Sequence, residues 1–242
     1  VNHEYKLVFC EEFDYEGKPD SSKWVHEIGG KKWGNKELQF YTDKLDNSFV
    51  QNNRLTIRAQ IEKTGEWNYT SARLMTYGKH SWMYGRFEIV AKLPKGQGSW
   101  PAIWMLSDAI KKGSPWPYCG EIDIMEHVGR DPNKIHFSLH TGAFNHRVGN
   151  HKTFFQKFDA VSDSFHAYRM DWEKDQITFY VDNERIVTYK KEEGYGVDEW
   201  PFDQPFYLIL NIAVGGTWGG LVDDSLLPFE MEVRSVKVWQ QS

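Results

Sequence analysis

The feature that most constrains this chain is a two-residue hydrophobic period that returns in segment after segment. In residues 81–93, Met83, Gly85, Phe87, Ile89, Ala91 and Leu93 fall on one face, with Trp82, Tyr84, Arg86, Glu88 and Lys92 opposite. Leu55, Ile57, Ala59 and Ile61 line up in the same way. Side chains alternate across a β-strand, so each segment reads as a strand with one face turned to a core. Residues 176–190 read as a hairpin turning at Asp182-Asn183. Further strands fit residues 5–13, 70–76, 101–106, 133–140, 165–172, 206–214 and 229–239, while residues 35–42 are expected to form a helical turn. Gly and Pro punctuate 17–19, 94–98, 113–117 and 215–220, with no internal repeat or linker-like tract. Many short strands between turn signals predict an all-β antiparallel sandwich, one domain over residues 1–242. Several strands carry polar or aromatic residues on the face away from the core, which suits a sheet used for binding.

The balance of 29 basic and 34 acidic residues, formal charge −5, excludes a generally basic nucleic-acid footprint. No apolar run reaches the length of a membrane span, so neither nucleic acid nor membrane is an expected partner, and a monomer is expected. The sequence opens at Val1 without a recognisable leader, as a mature or excised piece would. Cys10 and Cys119, the only cysteines, are too few for a disulfide framework or a cysteine-based zinc site, and both read as buried free thiols.

Residues 120–127, Gly-Glu-Ile-Asp-Ile-Met-Glu-His, carry the most chemistry. Strand alternation puts Glu121 and Asp123 on one face but throws Glu126 to the other. A β-bulge near Met125, consuming one extra residue, restores the phase and brings all three carboxylates together. Such crowding costs stability, because like charges repel and compete for protons. Two carboxylates with split pKa values are what glycosidic cleavage requires. Acid–apolar alternation is also the pattern of an ordinary half-exposed strand, and an acidic cluster also suits a cation. Eleven Trp, 12 Tyr and 15 Phe add flat apolar faces, several in loops beside Gly or Pro, which suit stacking against sugar rings.

With these residues in view, the chain resembles glycoside hydrolase family 16 in its bulged, laminarinase-like form. The likeness is carried by Gly120–Glu126 and by motifs spread almost end to end: Gly34-Asn35-Lys-Glu37-Leu38-Gln39-Phe-Tyr41-Thr42, Ser71-Ala72-Arg73-Leu74, Gly85-Arg86-Phe87-Glu88, Gly98 to Leu106, Trp116-Pro117, Phe179-Tyr180-Val181-Asp182, and Asn211 to Gly216. The resemblance implies a β-jelly-roll of two curved antiparallel sheets with a concave substrate cleft. It implies retaining endo-hydrolysis of β-1,3-glucan, with Glu121 as nucleophile, Glu126 as general acid/base and Asp123 tuning the nucleophile. Retention calls for carboxyl groups about 5–5.5 Å apart.

The resemblance further implies that Trp100, Trp104 and Trp116 wall the glucosyl subsites, and that Asn35 and Arg73 bond hydroxyls on the non-reducing side. It places His140 toward the leaving group, against the +1 sugar or Glu126, with Trp33 and Trp218 at remote subsites. Core packing for Trp100, a surface salt bridge for Arg73 and a structural role for His140 are the plainer alternatives. Many family members hold a structural calcium through an aspartate in the last strand. Arg234 stands at that position here, and a guanidinium cannot ligate a cation, so no cofactor or metal is expected. A polymeric β-glucan as partner implies an extracellular or cell-surface location. A non-catalytic glucan-binding relative and a hydrolase of agar-type galactans are the competing readings.

Overall fold

The computed structural model describes residues 4–242; the first three residues of the expected 1–242 domain lie outside them. Two sheets stack face to face, as the alternation predicts. The outer sheet runs Glu184–Lys190, Gln176–Val181, His166–Trp172, Gly85–Lys92, Phe229–Gln241, Arg54–Thr64, Trp67–Ser71 and Gln39–Tyr41, with Tyr5–Glu11 and Ser48–Gln51 joining off this path. The second sheet runs Lys152–Lys157, Lys134–His140, Glu121–Glu126, Ser99–Ser107, Phe206–Val214, Arg73–Met75 and Val25–His26. Pairing is antiparallel throughout except where Gln39–Tyr41 meets Trp67–Ser71 in parallel.

The facing sides of the sheets share one core. Leu55, Ile57, Phe87, Ile89, Phe179, Val233 and Val236 from the outer sheet meet Ile103, Met105, Ile122, Ile124, Met125, Phe137 and Leu210 from the other. Burial of such a continuous apolar layer is the main force holding the sandwich. The hairpin turns at Asp182 (φ 50°) and Asn183 (φ 68°), residues that tolerate positive φ in a two-residue connection.

Three expectations need correction. Residues 35–42 hold no helical turn: a 3₁₀ turn covers Lys32–Gly34, and Gln39–Tyr41 is a strand, held by ladder bonds to Tyr69–Ser71. Trp82 is buried and Met83 exposed, the reverse of the face assignment, because Tyr84 (φ 64°) and Gly85 (φ 137°) turn the backbone before the strand begins. The face is in phase only from Gly85 onward. Both cysteines are free, but Cys10 is only partly buried while Cys119 is fully so.

Candidate active site

The bulge forms where the acidic motif needs it. Against Ser99–Ser107, Asp123 pairs with Trp104 and Met125 with Ile103, so the register slips by one residue. Against the other neighbour, Asp123 pairs with Ser138 and Glu126 with His136. Ile122, Ile124 and Met125 therefore all enter the core, where each is fully buried, and Glu121, Asp123 and Glu126 emerge together on the opposite face. The apolar residues anchor the strand, and the extra residue supplies the phase change.

A second apolar cluster lies on this same face beside Glu121. Met75, Leu106, Cys119, Tyr207 and Ile209 pack there with Trp104 and Trp116 against them. This wall strips water from the carboxylates. Burial, reinforced by Asp123, pushes the Glu121 carboxyl well above the ordinary carboxylate range. Burial and the charge of Glu126 do the same to Asp123, which sits between the two glutamates in the strand. Glu126 is pushed up to about 8, first by burial and then by Glu121.

Two indoles meet the two glutamates from opposite ends. Trp116 Nε1 donates to Glu121 Oε1 at 2.9 Å, and Trp100 Nε1 donates to Glu126 Oε2 at 3.2 Å. Trp100 thus faces the acids and not the core. His140 is buried with its Nε2 3.4 Å from Asp123 Oδ2 and 3.7 Å from Glu121 Oε2. It does not sit against Glu126: the antiparallel register sets His140 opposite Glu121 and puts His136 opposite Glu126. Burial lowers the His140 imidazole pKa, against the pull of Glu121, favouring the neutral ring. Glu121, Asp123 and His140 bring one ligand-type atom each within 4.8 Å of one another, so this is where a cation finds donors. The Trp116 N–H occupies Glu121 Oε1, leaving Oε2 turned toward His140.

Arg73 is no surface residue. Its Nε bonds Glu27 Oε1 at 3.0 Å, and the guanidinium lies 4.5 Å from the Trp33 ring centroid and 4.8 Å from that of Trp104. The cation is sandwiched between two aromatic platforms, which it holds in place. Trp104 is pinned from its other end: its Nε1 donates to Asn211 Oδ1 at 2.7 Å, and Asn211 Nδ2 donates to the Tyr41 hydroxyl at 3.0 Å. Asn35 Nδ2 donates to Glu37 Oε2 and to the Trp33 carbonyl. Trp218 packs edge-on against Trp100 and His136, at the opposite end of the acidic strand from Trp116.

Sequence reasoning missed Glu27, Tyr41 and Asn211 as supports, and it missed a histidine group around Trp116. His151 stacks on His140 at 4.8 Å, and His146 lies 4.8 Å from Trp116 and 5.3 Å from His140. Tyr41 and Asn211 lie inside recognisable motifs. Nothing in the sequence ties Glu27 to Arg73, 46 residues away, or His146 and His151 to Trp116.

A β-sandwich presenting closely set, buried carboxylates with raised proton affinity between tryptophan rings is the architecture of a glycoside hydrolase. The profile of glycosyl hydrolases family 16 matches residues 25–224, and the chain belongs to that family. It is 46% identical to a β-glucanase of Rhodothermus marinus, over 98% of this chain and 85% of that protein. The structure of the laminarinase from Rhodothermus marinus superposes with a TM-score of 0.97 at 44% identity, covering 100% of both chains. A non-specific endo-β-1,3(4)-glucanase of the same family superposes at 0.94 with 39% identity, covering 98% of this chain and 95% of that one.

Proposed function

We propose that residues 1–242 act as a single catalytic domain that cleaves internal β-1,3-glucosidic bonds of laminarin-type glucans with retention. The observation that carries this reading is the pairing of each glutamate with its own indole donor, with Asp123 between them. Asp123 is the costliest place for a charge: its Oδ2 is buried and has no hydrogen-bond partner. A proton held there is shared with the glutamates on either side. Glu121 receives the Trp116 N–H, and although burial raises its carboxyl, a proton on Asp123 removes the second cause, the Asp123 charge, so Glu121 becomes the anion that attacks the anomeric carbon. Glu126, with its raised pKa, keeps a proton through neutral pH and delivers it to the leaving oxygen. It then takes a proton from the water that hydrolyses the glycosyl–enzyme.

Trp104, Trp33 and Arg73 lie along the non-reducing side of this centre, and Trp116, His140 and Trp218 flank it, forming platforms for successive glucosyl rings. Mixed β-1,3-1,4-glucan is a weaker or comparable substrate, as the non-specific relative acts on both linkages in its description. All three acids of the motif are present, which sets the chain apart from a glucan-binding relative that lacks them. On the acidic face Arg73 and Lys111 are both paired with Glu27, while Lys31 over Trp33 and Arg147 over Trp116 stand singly against aromatic rings, not as the cluster that sulfated galactans need.

The family's calcium does not fit this chain. Arg234 lies 3.8 Å over the Phe165 ring, Glu232 is held by Arg54 and Lys92, and Glu230 by Arg58. Those carboxylates are already neutralised by cations. Among the described residues no helix is long and apolar enough to cross a membrane. A monomer acting on an extracellular or cell-surface polymer, with no nucleic-acid or membrane partner, completes the reading. Product analysis on laminarin, lichenan, cellulose, agarose and carrageenan tests it. Short laminari-oligosaccharides from the first and no cleavage of the last three are expected; activity confined to agarose overturns the substrate.

A further inference from the structure

The wall of the cleft beyond Arg73 contains a chain of side-chain amides whose polarity is fixed at one end by the backbone. The Val214 N–H donates to Gln39 Oε1 at 2.7 Å. A backbone N–H can only donate, so Gln39 must turn its carbonyl oxygen to Val214 and its Nε2 the other way. Gln39 Nε2 accordingly donates to Glu37 Oε1 at 2.8 Å, and the second oxygen, Oε2, accepts from Asn35 Nδ2 at 2.9 Å. The same Asn35 Nδ2 donates to the Trp33 carbonyl at 3.2 Å. Both amide protons of Asn35 are thereby committed inward. Its Oδ1, a pure acceptor, is the one polar side-chain atom left free, and no protein donor reaches it among the described residues.

Glu37 and Gln39 are buried, with Gln39 fully so, and Asn35 is half-buried at the edge of the same layer. The loop is clamped from the far side by Gly216 (φ 76°), where a Cβ would stand 2.8 Å from the Asn35 carbonyl oxygen and 3.2 Å from Glu37 Cγ. Thr217 N–H also donates to that carbonyl at 2.8 Å. The relay lies beside the reaction centre: burial raises the Glu37 carboxyl above its ordinary range, the two amide donors and the Arg73 cation pull it back toward the charged form, and the Glu37 charge in turn is felt at Glu126.

We propose that Glu37 is a positioning residue that fixes Asn35 as a hydrogen-bond acceptor toward a sugar hydroxyl on the non-reducing side of the cleft. The substrate part of this proposal rests on the glucanase reading above. Glu37 does its work as a carboxylate because it alone offers two acceptors to two inward-facing amides. A glutamine in its place offers one acceptor and one donor. Gln39 cannot turn over without abandoning the Val214 N–H, so the new carbonyl faces Gln39 and the new amide faces Asn35. Asn35 then flips, presenting a donor to the cleft and leaving the Trp33 carbonyl without its partner.

The test has a substrate-free arm and a kinetic arm. In the wild-type protein the Asn35 side-chain NH₂ is expected to exchange slowly with solvent in ¹H–¹⁵N spectra, and in Glu37→Gln it is expected to exchange fast. In kinetics on laminari-oligosaccharides, Glu37→Gln is expected to lose about 10- to 100-fold in kcat/KM, the range set by one mismatched buried polar contact. Adding Asn35→Asp to Glu37→Gln restores an acceptor toward the cleft, because the introduced carboxylate takes the new amide with one oxygen and offers the other outward. The double variant is expected to regain about tenfold or more, whereas Asn35→Asp alone, facing the Glu37 carboxylate, stays impaired. Wild-type Asn35 amide protons exchanging at the free-solvent rate overturn the proposal. So does a Glu37→Gln enzyme within about twofold of wild type, or a double variant no better than Glu37→Gln when both keep the wild-type thermal midpoint. A wild-type protein inert on every β-1,3-glucan overturns the glucanase reading instead, and the amide exchange still judges the relay.

Discussion

Replacing Trp100 by Phe isolates the contact that sets the proton affinity of the acid/base. The indole N–H at 3.2 Å favours the charged form of Glu126 and therefore lowers a pKa that burial and Glu121 have raised to about 8. Phenylalanine keeps an apolar ring but removes the donor. A hydrogen bond to a charged group contributes about 1.5–3 kcal/mol. The Trp100 bond is at the long end of the normal range and its ring is half-buried, so the lower figure applies. One pKa unit corresponds to about 1.4 kcal/mol, so the loss amounts to about one unit. The other groups acting on Glu126, namely Glu121, Asp123 and Glu37, are unchanged by the substitution.

Because Glu126 acts as an acid in the first step, activity falls as pH rises through its pKa. The alkaline limb of kcat/KM, which reports the free enzyme, is expected near pH 8 in the wild type and about one unit higher in Trp100→Phe. The height of the profile will also drop through lost stacking, but the position of the limb reads only the titration. Trp218→Phe, which alters the ring packed edge-on against Trp100, is expected to leave the limb in place. A limb that stays put or moves down in Trp100→Phe refutes the assignment of the raised pKa to Glu126.

Two further outcomes follow from the same site and its surroundings. Glu126→Ala is expected to abolish laminarin cleavage while partly sparing an aryl β-glucoside whose leaving group needs no proton, whereas Glu121→Ala abolishes both; the opposite pattern exchanges the two roles. Chelator is expected to leave the thermal midpoint unchanged, because Arg234 and the pairs at Glu230 and Glu232 occupy the usual calcium region; a midpoint that climbs with added calcium shows linkage to a bound ion.

The parts of this structure legible in the sequence are those set by local periodicity. Glu121 and Asp123 in phase, with Glu126 one residue out, required either a bulge or a scattered motif, and the observed register slip is that bulge. The hairpin at Asp182-Asn183 was equally local. Periodicity failed where something nonlocal outweighed it. Met83 followed the alternation of the strand ahead of it until the backbone turned at Tyr84 and Gly85. Gln39–Tyr41 escaped notice because its partner strand arrives from Tyr69–Ser71 and its buried Gln39 is satisfied by Val214 and Glu37, not by apolar packing. The edge strand Lys152–Lys157 went unread since Phe154 and Phe155 are both exposed and give no alternation. His140 was expected against the +1 sugar or Glu126, and only the antiparallel register, which no single segment encodes, sets it opposite Glu121.

The measurement that bears most directly on two-carboxylate chemistry at Glu121 and Glu126 is proton NMR of laminarin hydrolysis during the first minutes, before mutarotation. Attack by one glutamate and a second inversion by water yield the β-anomer of the new reducing end first, with the α-anomer growing in only as the sugar equilibrates. An initial α-anomer means a single displacement by water, and it contradicts Glu121 as the nucleophile.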